Sequence, residues 1–332
     1  MRYLGHLPIK DPLYGYLSDD ILPRLSASGH SPLFRVYQIP ASNDVYLYED
    51  QENRINLVGK FFNGVKNRSP EIAFRHMERE FNNLKHLRGI GFTCHPHCIA
   101  PPLGCNARLN CVLIEEFCHG LSLDYFIIKA IREGARECLF QKLTALAYFL
   151  ATLHNRTATG KKVDMSEDCV YFDRIVDFLK NRGHVGWSEA EDFLLLKEQW
   201  RKKECMWEDN QVLVHGDVTP ANILFGDGLG VIAIDLERMK KADRVFDVGR
   251  VAAEIKHFFM QHAGNGTQAE PFIGHFLWEY ACHFPDRDRA FRSIVRRIPF
   301  HMGMTLLRIA RNPWISDAYR RQLLDEARKT LR

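Results

Sequence analysis

The spacing of apolar residues changes character near residue 118, and that change limits the chain to a small set of folds. From about residue 32 the text reads as short β-rich runs, PLFRVYQI, VYLYED and INLVGKFF, broken by IPASND and QENR, whose Pro, Asn and Asp residues are turn formers. This pattern predicts an antiparallel meander. The stretch PEIAFRHMEREFNNLKHLRGIG then sets Phe74, Met77, Phe81, Leu84 and Leu87 at intervals of three or four, with Pro70 near its start and Gly89 and Gly91 at its end, which predicts a helix crossing the sheet. Two more strand-like runs, around CIAPPLG and NCVLIEEF, precede a turn at CHGLS. Beyond it the pattern is mainly helical, as in LFQKLTALAYFLATLHN and FDVGRVAAEIKHFFMQH, except for one β-like island, VLVHGDVTPANILFGDGLGVIAIDLE. At 332 residues the chain is long enough to bury two cores. The expected organisation is an α+β chain with a first lobe over residues 1–118 and a second over 119–332.

Composition excludes several classes. With 46% hydrophobic and 26% charged residues the chain is neither disordered nor fibrous, and a net charge of +4 does not call for nucleic acid or a membrane surface. No apolar run approaches the roughly 20 residues that span a bilayer, and MRYLGHLPIKDPLYGYLSDD lacks the apolar core of a signal peptide, so a cytoplasmic location is expected. Nine cysteines, an odd number, argue against a disulfide framework.

The β-like island carries the chemistry. His215, Gly216 and Asp217 are followed by Asn222, and a second acid, Asp235, ends the apolar run VIAI. Phosphoryl transfer needs these residue types: a carboxylate to orient the acceptor hydroxyl and take its proton, and a pair of oxygen ligands to hold Mg²⁺ against the phosphates. The interval from Asp217 to Asn222 equals that of the protein-kinase catalytic loop, H-R-D-x-x-x-x-N, with Gly216 in the arginine's place. Asp217 is therefore the candidate catalytic base, and Asn222 and Asp235 the candidate metal ligands. Taken singly, Asp217 or Asn222 reads as an ordinary turn residue; the whole string VHGDVTPANILF with IDLE does not.

This string resembles the aminoglycoside phosphotransferase and choline kinase superfamily, small-molecule kinases with a protein-kinase-like fold that carry H-G-D-x-x-x-x-N followed by I-D-x-E. The downstream FDVGR, with Asp247 and Gly249, resembles the same family's step into the next helix. The resemblance implies a bilobal fold: an N-terminal nucleotide-binding sheet with one long helix, and a mainly helical lobe for catalysis and acceptor binding. It further implies ATP and Mg²⁺ in the cleft and a lysine on the third strand paired with an acid on the crossing helix. Lys60 stands at the lysine's place, and Glu80 is preferred to Glu78 as its partner. The run LIEEFCHG resembles the interlobe hinge, which makes the Glu116 carbonyl and the Cys118 amide the expected adenine contacts. No G-x-G-x-x-G occupies the first hairpin, so Ser42, with Asn43, is the candidate for phosphate contacts there. His215 and Asp247 are expected to brace the catalytic loop, and His154 to be structural.

The function implied is ATP-dependent phosphorylation of a hydroxyl on a small molecule of aminoglycoside, amino-alcohol or sugar type. A protein Ser/Thr kinase is the first rival, disfavoured by Gly216 and by the short interval from IDLE to FDVGR; a catalytically silent nucleotide-binding regulator is the second. For the acceptor, Glu189, Glu191 and Asp192 would suit a cation, whereas Arg287, Arg289, Arg292, Arg296 and Arg297 would suit an anion. The run from Cys94 to Cys118, with His95 and His97, offers zinc-type donors at irregular spacing, and cysteines packed on strands are the simpler account.

Overall fold

In the computed structural model, residues 1–25, 31–41, 44–63, 69–226 and 228–332 are described. The chain divides into two compact units. The first comprises Met1–Gly120 together with Ile232–Glu237, and the second comprises Leu121–Val231 and Arg238–Arg332. The segment carrying Asp235, which the sequence order puts in the second lobe, thus packs with the first unit.

The first unit is built on an antiparallel sheet. Its strands are β1 (Arg2–His6), β2 (Phe34–Ile39), β3 (Asp44–Asp50), β4 (Ile55–Phe61), β5 (Thr93–Cys94), β6 (His97–Ile99), β7 (Pro102–Asn106) and β8 (Val112–Glu116). Six of them form the main sheet in the order β1-β2-β3-β4-β8-β7. The meander β2-β3-β4 follows from alternation: on β4 Leu57 and Gly59 are buried, and Lys60 lies opposite Leu113 of β8. Strand β1, which periodicity did not reveal, is short and mostly exposed, and pairs along one edge with β2.

The crossing helix runs over Pro70–Gly89, with Ser69 as N-cap accepting from the Ile72 amide at 3.4 Å. Its buried stripe differs from the apolar spacing in the sequence. Ala73, Met77, Glu80, Leu84 and Leu87 are buried, while Phe74 is 40% exposed. A carboxylate therefore takes a place in the stripe that hydrophobicity alone would give to an apolar residue.

The second unit is mainly helical. The helix Val245–Ala263 is buried on nearly all sides, its apolar residues sharing the interior with the charged Asp247, Arg250 and Glu254, and packs against Ile298–Ala310, which in turn packs on Asp317–Leu331. The strand Val212–Val214 pairs with Lys240–Ala242 and leads into the segment holding His215, Gly216 and Asp217. Among the described residues no helix is long and apolar enough to cross a membrane.

Candidate active site

In the first unit, Lys60 on β4 is the centre of a buried charge cluster. Its Nζ lies 2.6 Å from Glu80 Oε1 and 3.1 Å from Glu115 Oε1. Glu80 comes from the buried stripe of the helix Pro70–Gly89. Glu115 comes from β8, two residues along from Leu113, and so shares a sheet face with Lys60. Glu78, the alternative partner, is exposed.

Two carboxylates on one ammonium leave an excess of negative charge out of water. Burial drives Glu80 up to about 8, with Glu115 and Asp235 adding to it against the pull of Lys60. Burial likewise raises Glu115. For Lys60, burial opposes the charge, and Glu115, Glu80 and Asp235 overcome it, so the lysine sits well above its ordinary range. Glu80 Oε2 finds no hydrogen-bond partner among the described residues.

Asp235 and Glu237 complete this side. Carboxylate oxygens of Glu80, Asp235 and Glu237 lie within 4.8 Å of one another. Asp235 has φ 63°, a left-handed conformation uncommon outside glycine and more accessible to aspartate than to most other side chains. The segment is held by the Ala100 amide donating to the Ala233 carbonyl at 3.3 Å, by Asn83 donating to the Leu236 carbonyl at 2.8 Å, and by His76 against Glu237 at 2.6 Å. Three carboxylates with an orphaned oxygen among them form a hard-donor set that suits Mg²⁺.

Of the hinge candidates, Glu116 is exposed and its amide donates to the Pro101 carbonyl at 2.9 Å. The thiol of Cys118, 3.8 Å from the Glu116 carbonyl, is pushed up to about 12 by burial. Ser42 lies outside the described residues. The Cys94–Cys118 run, among the described residues, gathers no three His, Cys, Asp or Glu donors at metal-binding distance, and Cys94 is exposed.

In the second unit the loop bearing Asp217 is held by its backbone. Asp247, fully buried, accepts from the amides of His215 at 2.6 Å and Gly216 at 3.0 Å. His154 stands between Asp247, at 3.3 Å, and the Tyr280 hydroxyl, at 2.7 Å. Despite burial, the His154, His215 and Gly216 contacts hold Asp247 below the usual carboxylate range. Gly216 has φ 80°, and a Cβ there would run into the Arg238 carbonyl, so the arginine of the protein-kinase loop has no room at this position. Asn222 turns back to donate to the Asp217 carbonyl at 2.9 Å.

The Asp217 carboxylate meets three guanidiniums. Arg250 Nη1 lies 2.8 Å from Oδ1 and also bonds the Gly216 carbonyl, Arg308 Nη1 is 3.7 Å from Oδ1, and Arg238 Nε is 3.6 Å from Oδ2. Burial alone would raise this carboxyl; Arg250, Arg308 and Arg238 outweigh it and hold Asp217 below its ordinary value. Arg250, Arg308 and Glu115 are not singled out by the sequence motifs. Arg250 and Glu115 lie inside FDVGR and LIEEF, where a charge within a largely apolar stretch is the available signal; Arg308 has none.

Of the acceptor candidates in the sequence, Glu189 and Arg297 are engaged elsewhere. Glu189 is bound by Arg321 at 2.8 Å and Arg328 at 2.5 Å, and Glu191 and Asp192 are exposed. Arg297 is buried against Asp243 at 2.5 Å and Asp209 at 2.8 Å.

Comparison with known proteins adds three findings. The model of the phosphotransferase enzyme family matches residues 34–285. No curated protein matches the sequence. Among solved structures, a choline kinase from Cryptosporidium parvum Iowa II is 12% identical, covering 96% of this chain and 94% of its own, with a TM-score of 0.65. A Plasmodium vivax ethanolamine kinase is 13% identical over 89% of this chain and 81% of its own, at 0.61. An aminoglycoside 2'-phosphotransferase-IIIa solved as a GDP complex is 14% identical over 96% and 99%, at 0.58. At such identities the likeness is one of fold, the protein-kinase-like α+β fold expected from the sequence.

Proposed function

The chain belongs to the phosphotransferase enzyme family, and we propose that it transfers the γ-phosphoryl group of ATP to a hydroxyl of a small-molecule acceptor. The observation that carries this reading is the Asp217 loop: a carboxylate fixed by backbone and guanidinium contacts in a family whose chemistry is phosphoryl transfer. Asp217 is the base. Its Oδ1 is engaged by Arg250, and Oδ2, whose nearest cation is 3.6 Å away on the half-exposed Arg238, is the oxygen that receives the acceptor proton. The hydroxyl oxygen forms a bond to the γ-phosphorus as the bond from that phosphorus to the β,γ-bridging oxygen breaks; ADP leaves and the proton goes to Asp217. A carboxylate held low is a weak base, which fits a loose transition state in which the proton moves late and Asp217 chiefly orients the nucleophile.

Lys60, oriented by Glu80 and Glu115, is assigned to the nucleotide phosphates, and Asn222 and Asp235 to Mg²⁺, with Glu237 beside Asp235. When bound, Mg²⁺ neutralises charge on the phosphate oxygens. The Glu116 carbonyl and Cys118 amide are assigned to the base edge of the nucleotide.

The test is Mg²⁺-dependent ADP release by purified protein over a panel of aminoglycosides, amino-alcohols, sugars, sugar phosphates and hydroxy acids. Acceptor-stimulated release that falls at least about 10³-fold in Asp217→Asn is expected, the scale of losing a positioned acid–base group plus its orienting role. Nucleotide binding with no stimulated release would turn the assignment to a silent regulator, and stimulation by peptide substrates alone would turn it to a protein kinase.

A further inference from the structure

Around Asp217 the second unit assembles more positive charge than its carboxylates can balance. Arg250 from the helix Val245–Ala263, Arg308 from the helix Ile298–Ala310 and Arg238 from the segment opposite Gly216 gather about two carboxylates, Asp217 and Glu254, and Arg311, just beyond the second helix, adds a fourth guanidinium beside Arg308 and Arg238 with no carboxylate of its own among the described residues. Glu254 is taken by Arg308 Nη2 at 2.6 Å. The next acids are occupied as well: Asp247 by loop amides and His154, and Asp168 by Lys240 at 3.2 Å.

The pairing is incomplete at the atomic level too. Arg250 is 2% exposed, yet its Nε has no hydrogen-bond partner among the described residues, and neither has the buried Nε of Arg308. Burial lowers Arg250 and Arg311, and the neighbouring guanidiniums add to the effect, whereas Arg308, with Glu254 and Asp217 on it, is raised against its burial. Tyr171 lies close to Arg250, Arg308 and Arg311 and supplies a hydroxyl to the same place.

A cluster of this sign beside the base would repel the cationic groups that an amino-alcohol or an aminoglycoside carries, and would hold a phosphate or carboxylate through forked guanidinium contacts. We propose that the acceptor is an anionic hydroxy compound, its phosphate or carboxylate held by Arg308, Arg311 and Arg238 while its hydroxyl is presented to Asp217. This rests on Asp217 being the base in the reading above. Arg308 and Arg238 lie against Asp217 at 3.7 and 3.6 Å, beyond hydrogen-bond distance, and so are not committed to it. Arg250, at 2.8 Å, stays as the residue that positions the carboxylate.

Matched acceptors that differ in charge test the proposal without relying on a variant. Glycerol 3-phosphate and glycerate are compared with glycerol and ethanolamine, and glucose 6-phosphate and gluconate with glucose and glucosamine, both as stimulators of ADP release and as ligands by calorimetry. The phosphate and carboxylate members of each set decide which anion is held. At least one anionic member should bind and be phosphorylated, with kcat/KM ten or more times that of its neutral and cationic counterparts, on the order expected for a charge-assisted contact in a buried site. Arg311→Leu and Arg238→Leu, which leave the buried Arg308–Glu254 pair intact, should each raise KM for that acceptor about tenfold or more and change KM for ATP less than about twofold. Preference for ethanolamine or glucosamine would overturn the anionic acceptor while keeping the kinase. A rise in KM for ATP instead of acceptor would overturn it as well, since the arginines would then serve the nucleotide. Binding of an anionic member that Arg311→Leu weakens, without phosphorylation of any member, would uphold the anion site and count against the kinase reading. Binding of none of these anions would overturn the site.

Discussion

Lys60 is buried between Glu80 and Glu115, so changing it exposes two carboxylates to an environment that cannot solvate them. Removing one partner of a buried ion pair costs about 3–5 kcal/mol, because the remaining charge is left uncompensated. Lys60→Met should therefore destabilise the protein by roughly that amount, whereas Lys60→Met with Glu80→Leu and Glu115→Leu, which removes all three charges, should recover most of the loss. Denaturant titration of the three proteins checks this. Gly216 is constrained by backbone geometry in place of charge. Its positive φ and the adjacent Arg238 carbonyl exclude a side chain, so Gly216→Ala must shift the loop that carries Asp217. A loss of kcat of about 100-fold or more, with a destabilisation of about 2 kcal/mol, is the expected outcome in steady-state kinetics and thermal unfolding. Residues of this kind were legible where a motif fixed their spacing, as with Asp217 and Asn222. Glu115 and Arg308 were not, because each acquires its partner from a distant part of the chain: Glu115 meets Lys60 across a strand pair, and Arg308 meets Glu254 and Asp217 across two helices.

At the scale of elements, the helix Pro70–Gly89 shows what periodicity conveys and what it omits. The three-and-four spacing located the helix and its ends, yet the buried face is the one through Ala73, Met77 and Glu80, and Phe74 points outward. Hydrophobicity ranks Phe74 above Glu80 as a core residue; the ion pair with Lys60 reverses the order. The strands β2, β3 and β4 were legible because alternation and turn residues agree, while β1 was not, since an exposed edge strand has no apolar face to display. The helix also separates stability from activity. With Glu80 replaced by Gln, Lys60 keeps Glu115 at 3.1 Å, so the cost should stay near 1–2 kcal/mol, below that of Lys60→Met. The lysine would nonetheless lose the partner that directs it, and kcat/KM for ATP should fall about 10- to 100-fold. A variant that loses stability as heavily as Lys60→Met, or that keeps full activity, would refute this division of labour.

For the molecule as a whole, the buried histidines contribute to the acid limb of stability, above the range in which the paired carboxylates Asp209, Asp217 and Asp247 take up protons. His301 is fully buried and held at about 3 by burial and by the nearby Arg297, Lys240 and Arg250. His257, bonded to Tyr319 at 2.8 Å, is held at about 4, again by burial first. Burial also lowers His154. In each case the folded state disfavours the proton that the unfolded chain accepts near pH 6.5, so between that pH and the depressed value the unfolded state binds more protons and stability falls as pH falls. The contribution is complete above about pH 6.5 and is lost progressively toward pH 4 and below, opposite in sign to a histidine that gains an acidic partner. Each such histidine steepens the acid limb by at most about 1.4 kcal/mol per pH unit. His301→Leu removes one titrating group from a site where a neutral side chain of similar size is already tolerated, so its unfolding free energy, measured by denaturant between pH 7 and 4.5, should decline less steeply than that of the unaltered protein by up to that amount. Parallel acid limbs for the two proteins would mean that His301 takes up its proton as readily in the folded state as in the unfolded one, which its burial among three cationic side chains argues against.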